Sequence, residues 1–295
     1  MLYLIADAFD ASLPGRLAAF GEVTDDMARL KDAHVVLIRS KTKMTRELID
    51  QAPNLKLIIR GGVGLDNVDK KYAAEKGILV RNTPKASAIA VAELAFALMI
   101  AVPNRLIEAH ASMREGRWEK KTIKRTELFG KTLSLLGAGN IATEVARRAK
   151  AFGMRVLAYD PFVKTHEWAE LQPSIEAALR PADYVSLHMP LTPETQGMLN
   201  KDTFALMKKG VVIVNTGRAN CIARADLKEA LDSGHVACYA TDVWPTDPPE
   251  ADYFVMAHPN VIMTPHIGAS SKENLGRIGD ETVELLTTLT KEGKL

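Results

Sequence analysis

The stretch Gly137-Ala138-Gly139-Asn140-Ile141-Ala142 lies between two apolar runs and opens a helical pattern. The run before it is Thr132-Leu133-Ser134-Leu135-Leu136. After the helical stretch from Ile141 to Phe152 comes Arg155-Val156-Leu157-Ala158-Tyr159, closed by Asp160. Strand, glycine turn, helix, strand and acid at this spacing are what a parallel sheet uses to hold a dinucleotide. Gly137 permits the tight turn out of the strand. Gly139, lacking a Cβ, lets the backbone approach a pyrophosphate, and Ala142 in the third small position still lets helix and strand pack closely. The helix start at Gly139, Asn140 and Ile141 offers unpaired N–H groups and the positive end of its dipole to phosphates. Asp160 can accept hydrogen bonds from ribose hydroxyls and would repel a 2′-phosphate, which favours NAD over NADP.

The rest of the chain fits around that unit. Its 295 residues suggest two domains. Short apolar runs alternate with helical patterns throughout, as expected of parallel sheets with helices on both faces. Candidate strands include Leu2–Ala6, Val35–Arg39, Leu57–Arg60, Ile78–Val80, Tyr184–Leu187, Val211–Asn215, Val236–Thr241 and Val261–Met263. The expected fold is α/β, with two Rossmann-like or flavodoxin-like doubly wound parallel-sheet domains and a cleft between them. Residues 1–98 and 284–295 form the substrate domain and 99–283 the dinucleotide domain, with the final helix returning to the first. The segment from Ser87 to Glu115 reads as a connecting helix bent or broken by Pro103, and Glu93 on it as a buried, paired acid.

Composition narrows the partners. A net charge of +2 is too small to imply nucleic acid or an acidic membrane surface. Cys221 and Cys238 have no metal-ligand spacing and read as small reduced core residues, so no metal is expected. The longest apolar stretch, 86–102, carries Glu93 and is short for a membrane span. The N-terminus lacks the basic start of a leader. Together these absences point to the cytoplasm.

Four clusters follow candidate strands, where open α/β sheets place their ligands. They are Arg60-Gly61-Gly62-Val63-Gly64, Asn215-Thr216-Gly217-Arg218, Asp242-Val243-Trp244-Pro245-Thr246-Asp247 and Thr264-Pro265-His266-Ile267-Gly268. They supply an anion-binding glycine loop, a fork donor, carboxylates and a histidine. Those parts suit hydride transfer between a nicotinamide and a hydroxy acid. The substrate carboxylate needs a guanidinium and backbone N–H groups, and the carbinol proton needs a base that works near neutral pH.

In these clusters the chain resembles the D-isomer-specific 2-hydroxyacid dehydrogenase family, nearest within it to the 3-phosphoglycerate dehydrogenases. Matching stretches run from about residue 35 to 275. They include Ile38-Arg39-Ser40-Lys41-Thr42-Lys43, the Arg60–Asp69 loop, Asn82-Thr83-Pro84, Val91-Ala92-Glu93, Glu127–Leu133 and His188-Met189-Pro190-Leu191-Thr192. The resemblance implies roles. Arg218 grips the substrate carboxylate and polarises the carbonyl, and His266 exchanges a proton with the substrate oxygen. Asp247 stands where the family usually has the glutamate that pairs with that histidine. Asp242 lies near the nicotinamide amide. His188, Pro190, Thr192 and Thr216 line the NAD cofactor, mostly through backbone, and the Gly62-Val63-Gly64 amides cradle the carboxylate.

Arg60 is read either as a ligand for an anionic substrate or as the partner of Asp66 or Asp69. Lys41 and Lys43 are further candidates for a substrate phosphate. The implied substrate is a small anionic 2-hydroxy or 2-keto acid: 3-phosphoglycerate, hydroxypyruvate or glyoxylate. The implied assembly is a homodimer, with the Gly116-Arg117-Trp118 arm as a contact. An NAD-sensing scaffold with little catalysis is the alternative. His188 is read as a packing residue and not a catalyst; His34, His110, His166, His235 and His258 are read as structural or solvent-exposed. Asp247 is one methylene shorter than glutamate, so either its backbone moves in or the pair is weakened.

Overall fold

A computed structural model describes residues Met1–Leu295, which fall into two compact units. The first comprises Met1–Ala88 and Ala269–Leu295, the second Ile89–Gly268.

The first unit holds a parallel sheet of β1 (Leu2–Ile5), β2 (Glu22–Thr24), β3 (Val35–Ile38), β4 (Leu57–Arg60) and β5 (Leu79–Asn82). Its order is β2-β1-β3-β4-β5, the flavodoxin-like arrangement. Every residue of β1 and β3 is buried, as a sheet covered on both faces requires. Alternate side chains feed two cores. Leu4, Val36, Ile38 and Ile58 face one; Tyr3, Ile5, Val35, Leu37, Leu57 and Ile59 face the other, where Leu286 and Leu289 of the helix Lys272–Lys291 join them.

The second unit holds β6 (Thr132–Leu136), β7 (Arg155–Tyr159), β8 (Glu170–Leu171), β9 (Tyr184–Leu187), β10 (Val211–Asn215), β11 (Val236–Thr241) and β12 (Val261–Met263). All pairs are parallel, in the order β12-β11-β10-β9-β6-β7-β8. The chain runs outward from β6 through β7 to β8 and then returns to β9 on the other flank of β6. The topological switch therefore lies between β6 and β9, where open sheets bind ligands at their carboxyl ends.

The unit boundaries fall earlier than the sequence-based 98/99 and 283/284, and packing explains both displacements. Helix Ala88–Asn104 sends Ala92, Ala95, Phe96 and Met99 into one core of the second unit. The start of helix Lys272–Lys291 is bound within the first. There Asn274 Nδ2 donates to Ser87 Oγ at 3.2 Å, Arg277 Nε donates to the Ala86 carbonyl at 3.0 Å, and Glu281 accepts the Ala86 N–H at 2.8 Å.

The connecting segment breaks two residues beyond Pro103. Arg105 takes a left-handed backbone (φ 48°), and a 65° bend separates Ala88–Asn104 from Leu106–Arg114. No single helix is long and apolar enough to cross a membrane. Glu93 is exposed and reaches Arg148 Nη2 at 3.2 Å, so it is a surface ion pair and not the buried acid expected from its apolar helix. Cys221 and Cys238 are buried and form no disulfide, and burial pushes the Cys238 thiol up to about 11.

Candidate active site and cofactor cradle

The glycine turn occupies the switch point. Gly137 leaves β6 at φ 97°, a conformation that L side chains rarely adopt, and a Cβ there would sit 2.7 Å from the His188 carbonyl oxygen at the end of β9. Gly139 is different. Its backbone is extended, and a Cβ there would meet no protein atom within 4 Å. Glycine at 139 therefore keeps open a space that no protein atom fills. That space adjoins the N-terminus of helix Asn140–Ala151, which no side chain caps. A pyrophosphate fits this cradle by shape and charge.

Two further polar atoms near the carboxyl ends of β9 and β10 point the same way. Thr216 Oγ1 and His188 Nδ1 are shielded from solvent and lack a protein partner. Asp160 closes β7 as expected, but its carboxylate is already at work: Oδ2 accepts the Ala138 N–H and Oδ1 the Phe162 N–H, both at 2.9 Å. It pins the glycine turn to the loop after β7 and keeps lone pairs for a ribose. The loop after β9 is self-braced, with Thr195 Oγ1 donating to the Pro190 carbonyl at 2.7 Å and accepting the Thr192 N–H at 2.8 Å.

Arg218, Asp247 and His266 come from the carboxyl ends of three consecutive neighbours, β10, β11 and β12. Adjacent strands lie about 4.8 Å apart, so β10 and β12 end roughly 10 Å from each other, within reach of a long guanidinium and an imidazole aimed at one small molecule. Arg218 is aimed by Asn215, a fully buried side chain at the last position of β10. Asn215 Oδ1 accepts the Gly217 N–H at 3.0 Å, and its Nδ2 donates to the Arg218 carbonyl at 3.1 Å and to Tyr239 Oη at 3.2 Å. The sequence placed Asn215 in the cluster without giving it this task; a polar residue closing a five-residue buried strand is the signal.

His266 has a left-handed backbone (φ 54°), uncommon outside glycine. Its Nδ1 is hydrogen-bonded to Asp247 Oδ2. The shorter carboxylate thus reaches the imidazole directly. With Nδ1–H donated to Asp247, Nε2 is the nitrogen left to exchange a proton. Both side chains are partly exposed, His266 at 38% and Asp247 at 46%, so the pair is open to a substrate.

The loop carrying His266 is fixed by Asp242. This carboxylate is 2% exposed. Its Oδ1 accepts from Thr264 Oγ1 at 2.6 Å and from the Ile267 N–H at 2.8 Å, and its Oδ2 accepts from the Gly268 N–H at 2.8 Å. A Cβ at Gly268 would press on Oδ2 at 2.9 Å, so that position needs glycine for close approach. Trp244 Nε1 also donates to the Thr264 carbonyl, at 3.1 Å. Asp242 was expected to serve the nicotinamide amide; here its protein contacts serve the histidine loop.

The remaining site candidates lie in the first unit, after β4. Gly62 adopts φ 139°, and its N–H is consumed by Thr83 Oγ1 at 2.7 Å, which corrects its assignment as a substrate donor and leaves the Val63 and Gly64 amides for that role. Asn82 Nδ2 holds the Val63 carbonyl at 2.6 Å. Asp69 accepts the Tyr72 N–H and pairs with Arg46. Lys41 and Lys43 are exposed. Arg39, not singled out from sequence, is the more telling cation. It follows β3, whose Ile38 pairs in register with Arg60 on β4. Its Nε is buried without a hydrogen-bond partner, its Nη2 and Nη1 donate to the carbonyls of Ala269 (3.0 Å) and Ala8 (3.5 Å), and burial, partly opposed by the nearby Asp7 carboxylate, pushes its pKa below the ordinary value.

Known proteins resemble this chain in sequence and fold. The family model for the D-isomer specific 2-hydroxyacid dehydrogenase NAD binding domain matches residues 96–268. A hydroxypyruvate reductase from Thermotoga maritima is 45% identical over 260 residues, covering 88% of this chain and 85% of that protein. A D-3-phosphoglycerate dehydrogenase from Methanocaldococcus jannaschii is 44% identical over 251 residues, covering 84% of this chain but 48% of that protein, so the present chain spans about half of its length. The crystal structure of a D-lactate dehydrogenase from Aquifex aeolicus, complexed with NAD and lactic acid, superposes with a TM-score of 0.86 at 30% identity over 99% of this chain and 96% of that one. With the glycine turn at the switch point and the paired imidazole and carboxylate at the ends of β11 and β12, the chain belongs to the NAD-dependent D-isomer specific 2-hydroxyacid dehydrogenase family.

Proposed function

We propose that the chain interconverts a small D-2-hydroxy acid and its 2-keto acid, with Arg218, Asp247 and His266 as the working side chains. The observation that carries this reading is the His266–Asp247 hydrogen bond one strand away from the Arg218 turn. Arg218 binds the substrate carboxylate and draws electron density from the C2 oxygen. In oxidation His266 Nε2 accepts the hydroxyl proton, and Asp247 stabilises the imidazolium that results. In reduction the same nitrogen returns the proton to the carbonyl oxygen. NAD, when bound, supplies the two-electron acceptor for the hydride leaving C2. The residues that would hold it are Gly137, Gly139, Asn140 and Ile141 at the pyrophosphate, Asp160 at the ribose, and His188, Pro190, Thr192 and Thr216 along the nicotinamide half. The Val63 and Gly64 amides would hold the substrate carboxylate.

Within this class we propose 3-phosphoglycerate as the substrate. Arg39 and Arg60 leave neighbouring strands, and the partly buried Arg39 guanidinium donates to backbone carbonyls; Asp7 favours its charge without outweighing the burial, which an anionic ligand would offset further. Two copies would pair through helix Leu106–Arg114 and the arm after it, where Leu106, Ile107, Met113 and Trp118 are 55%, 58%, 55% and 75% exposed.

NADH absorbance tests the assignment. The wild type should reduce NAD with 3-phosphoglycerate and oxidise NADH with hydroxypyruvate or glyoxylate. His266→Ala and Arg218→Ala should each lose turnover by about 10²–10⁴-fold while still binding NADH. Tight NADH binding by a wild type that turns over none of these acids would reject the enzymatic reading in favour of a scaffold. Equal use of phosphorylated and unphosphorylated acids would reject the phosphate assignment alone.

A further inference from the structure

Asn274, in the first turn of helix Lys272–Lys291, is completely buried. Its Nδ2 donates to two acceptors: the Ala269 carbonyl at 2.8 Å and Ser87 Oγ at 3.2 Å. The amide orientation is fixed by the first of these, since a carbonyl can only accept. Its Oδ1 is buried without a partner. An unsatisfied amide oxygen in a dry site opposes folding, and an apolar side chain of the same volume would avoid that cost. Packing therefore does not account for asparagine at this position, whereas its two donated bonds do.

Those bonds meet at a notable place in the chain. Ser87 is the penultimate residue of the first segment of its unit, and Ala269 is the first residue of the second. One side chain thus ties together the two points at which the backbone leaves and re-enters that unit. Ala269 also stands three residues after His266, and the intervening Ile267 and Gly268 are the residues whose amides Asp242 holds. The Ala269 carbonyl is shared with Arg39 Nη2 at 3.0 Å. The left-handed backbone of His266 is therefore bracketed, by Asp242 immediately after it and by Asn274 with Arg39 one residue further on.

We propose that Asn274 is a positioning residue for the proton-transfer step: by fixing the Ala269 carbonyl to Ser87 it registers the loop that carries His266. The inference rests on the reading of His266 as the proton carrier. A loop released at Ala269 has one anchor fewer holding an imidazole whose placement matters to well under 1 Å.

The test uses the full chain with NADH and whichever of hydroxypyruvate or glyoxylate the wild type reduces faster. Asn274→Leu keeps the branched heavy-atom outline and removes both donated bonds. Asn274→Asp keeps the shape and removes the donor, and it serves if the leucine variant does not fold. The expected result is a fall in kcat of about tenfold or more, with the NADH dissociation constant within about twofold of wild type and a larger solvent isotope effect on kcat as proton transfer becomes limiting. Independently of turnover, hydrogen exchange at the Ile267 and Gly268 amides should accelerate. A purely structural asparagine would shift the melting temperature and leave the isotope effect alone. An unchanged kcat and isotope effect in a folded variant would overturn the proposal, and so would unaltered exchange at those two amides. If the wild type itself reduces neither acid, the enzymatic reading falls on that result and the exchange measurement still decides the role of Asn274 in the loop.

Discussion

His188 offers the sharpest link between one side chain and the stability of the dinucleotide-binding unit. Its Nε2 lies 2.9 Å from Ser186 Oγ, its Nδ1 is shielded and unpartnered, and burial pushes its pKa down to about 3. The residue as a whole retains some exposure, but the ring nitrogens are what titrate, and Nδ1 is shut off from solvent. An unfolded histidine titrates near pH 6.5. Between pH 6.5 and about 3 the unfolded chain therefore binds a proton that the folded chain refuses. Stability is fully present above pH 6.5 and is lost as the pH falls towards the folded value. The loss is about 1.4 kcal/mol for each pH unit in that window, or about 2 kcal/mol at pH 5. Trp118, Trp168 and Trp244 all lie in the second unit, so tryptophan fluorescence during urea unfolding reports the unit that contains His188. The comparison is between wild type and His188→Gln, which places a neutral amide near Ser186. Other groups titrate in both proteins and cancel. The wild type should lose about 2 kcal/mol more than the variant between pH 7.5 and pH 5. Parallel losses in the two proteins would show that the imidazole becomes charged in the folded state and would refute the burial argument.

Two other substitutions separate folding from cofactor binding. Gly139→Ala adds a methyl group that meets no protein atom, so the melting temperature should hold while NADH affinity, read by fluorescence, falls at least tenfold; Gly137→Ala, at φ 97° and against the His188 carbonyl, should destabilise the fold itself by about 1–3 kcal/mol. Equal thermal losses in both would contradict the assignment of open space above Gly139. Asp160→Asn removes the charge facing a 2′-phosphate and should raise the NADPH-to-NADH preference about tenfold in steady-state kinetics; an unchanged ratio would confine Asp160 to bracing the Ala138 and Phe162 amides.

What the sequence disclosed and what it concealed follow from where physical constraint is local. Val211–Asn215 and Tyr184–Leu187 were legible to the residue because strands buried on both faces read as unbroken apolar runs bounded by polar turns. The edge strands Glu22–Thr24 and Glu170–Leu171 passed unnoticed, since a short, half-exposed edge carries no such run. The glycine turn was legible because Gly137 is demanded by backbone geometry. Glu93 was misread because an acid on an apolar helix gives no hint of which face it occupies; only the packing of Ala92 and Phe96 around it shows that it faces outward, towards Arg148. Gly62 was credited with a donor that Thr83, distant in sequence, already takes. Arg39 likewise declared itself only when the fold buried its guanidinium against the carbonyls of Ala8 and Ala269. Pairings between remote residues are set by the tertiary structure, and no spacing rule contains them.

Asp242 is the point where resemblance and geometry assign different work to one carboxylate, and a single substitution distinguishes them. The resemblance places it beside the nicotinamide amide. The structure gives it three protein donors, two of them the N–H groups that follow His266. A left-handed non-glycine residue such as His266 costs about 1–3 kcal/mol, and hydrogen bonds to a charged acceptor, at about 1.5–3 kcal/mol each, are of the right size to hold it. Asp242→Asn retains one acceptor oxygen and turns an NH₂ group towards donors that need an acceptor. If the carboxylate chiefly positions the histidine, kcat should fall by about 10²-fold, exchange at Ile267 and Gly268 should accelerate, and NADH should still bind within a few-fold of wild type. If it chiefly serves the cofactor, NADH affinity should collapse and the exchange of those two amides should stay at the wild-type rate. The second pattern would refute the role drawn from the hydrogen bonds. The first would mean that the acid after β11 acts on the reaction through the shape of the loop that bears the imidazole.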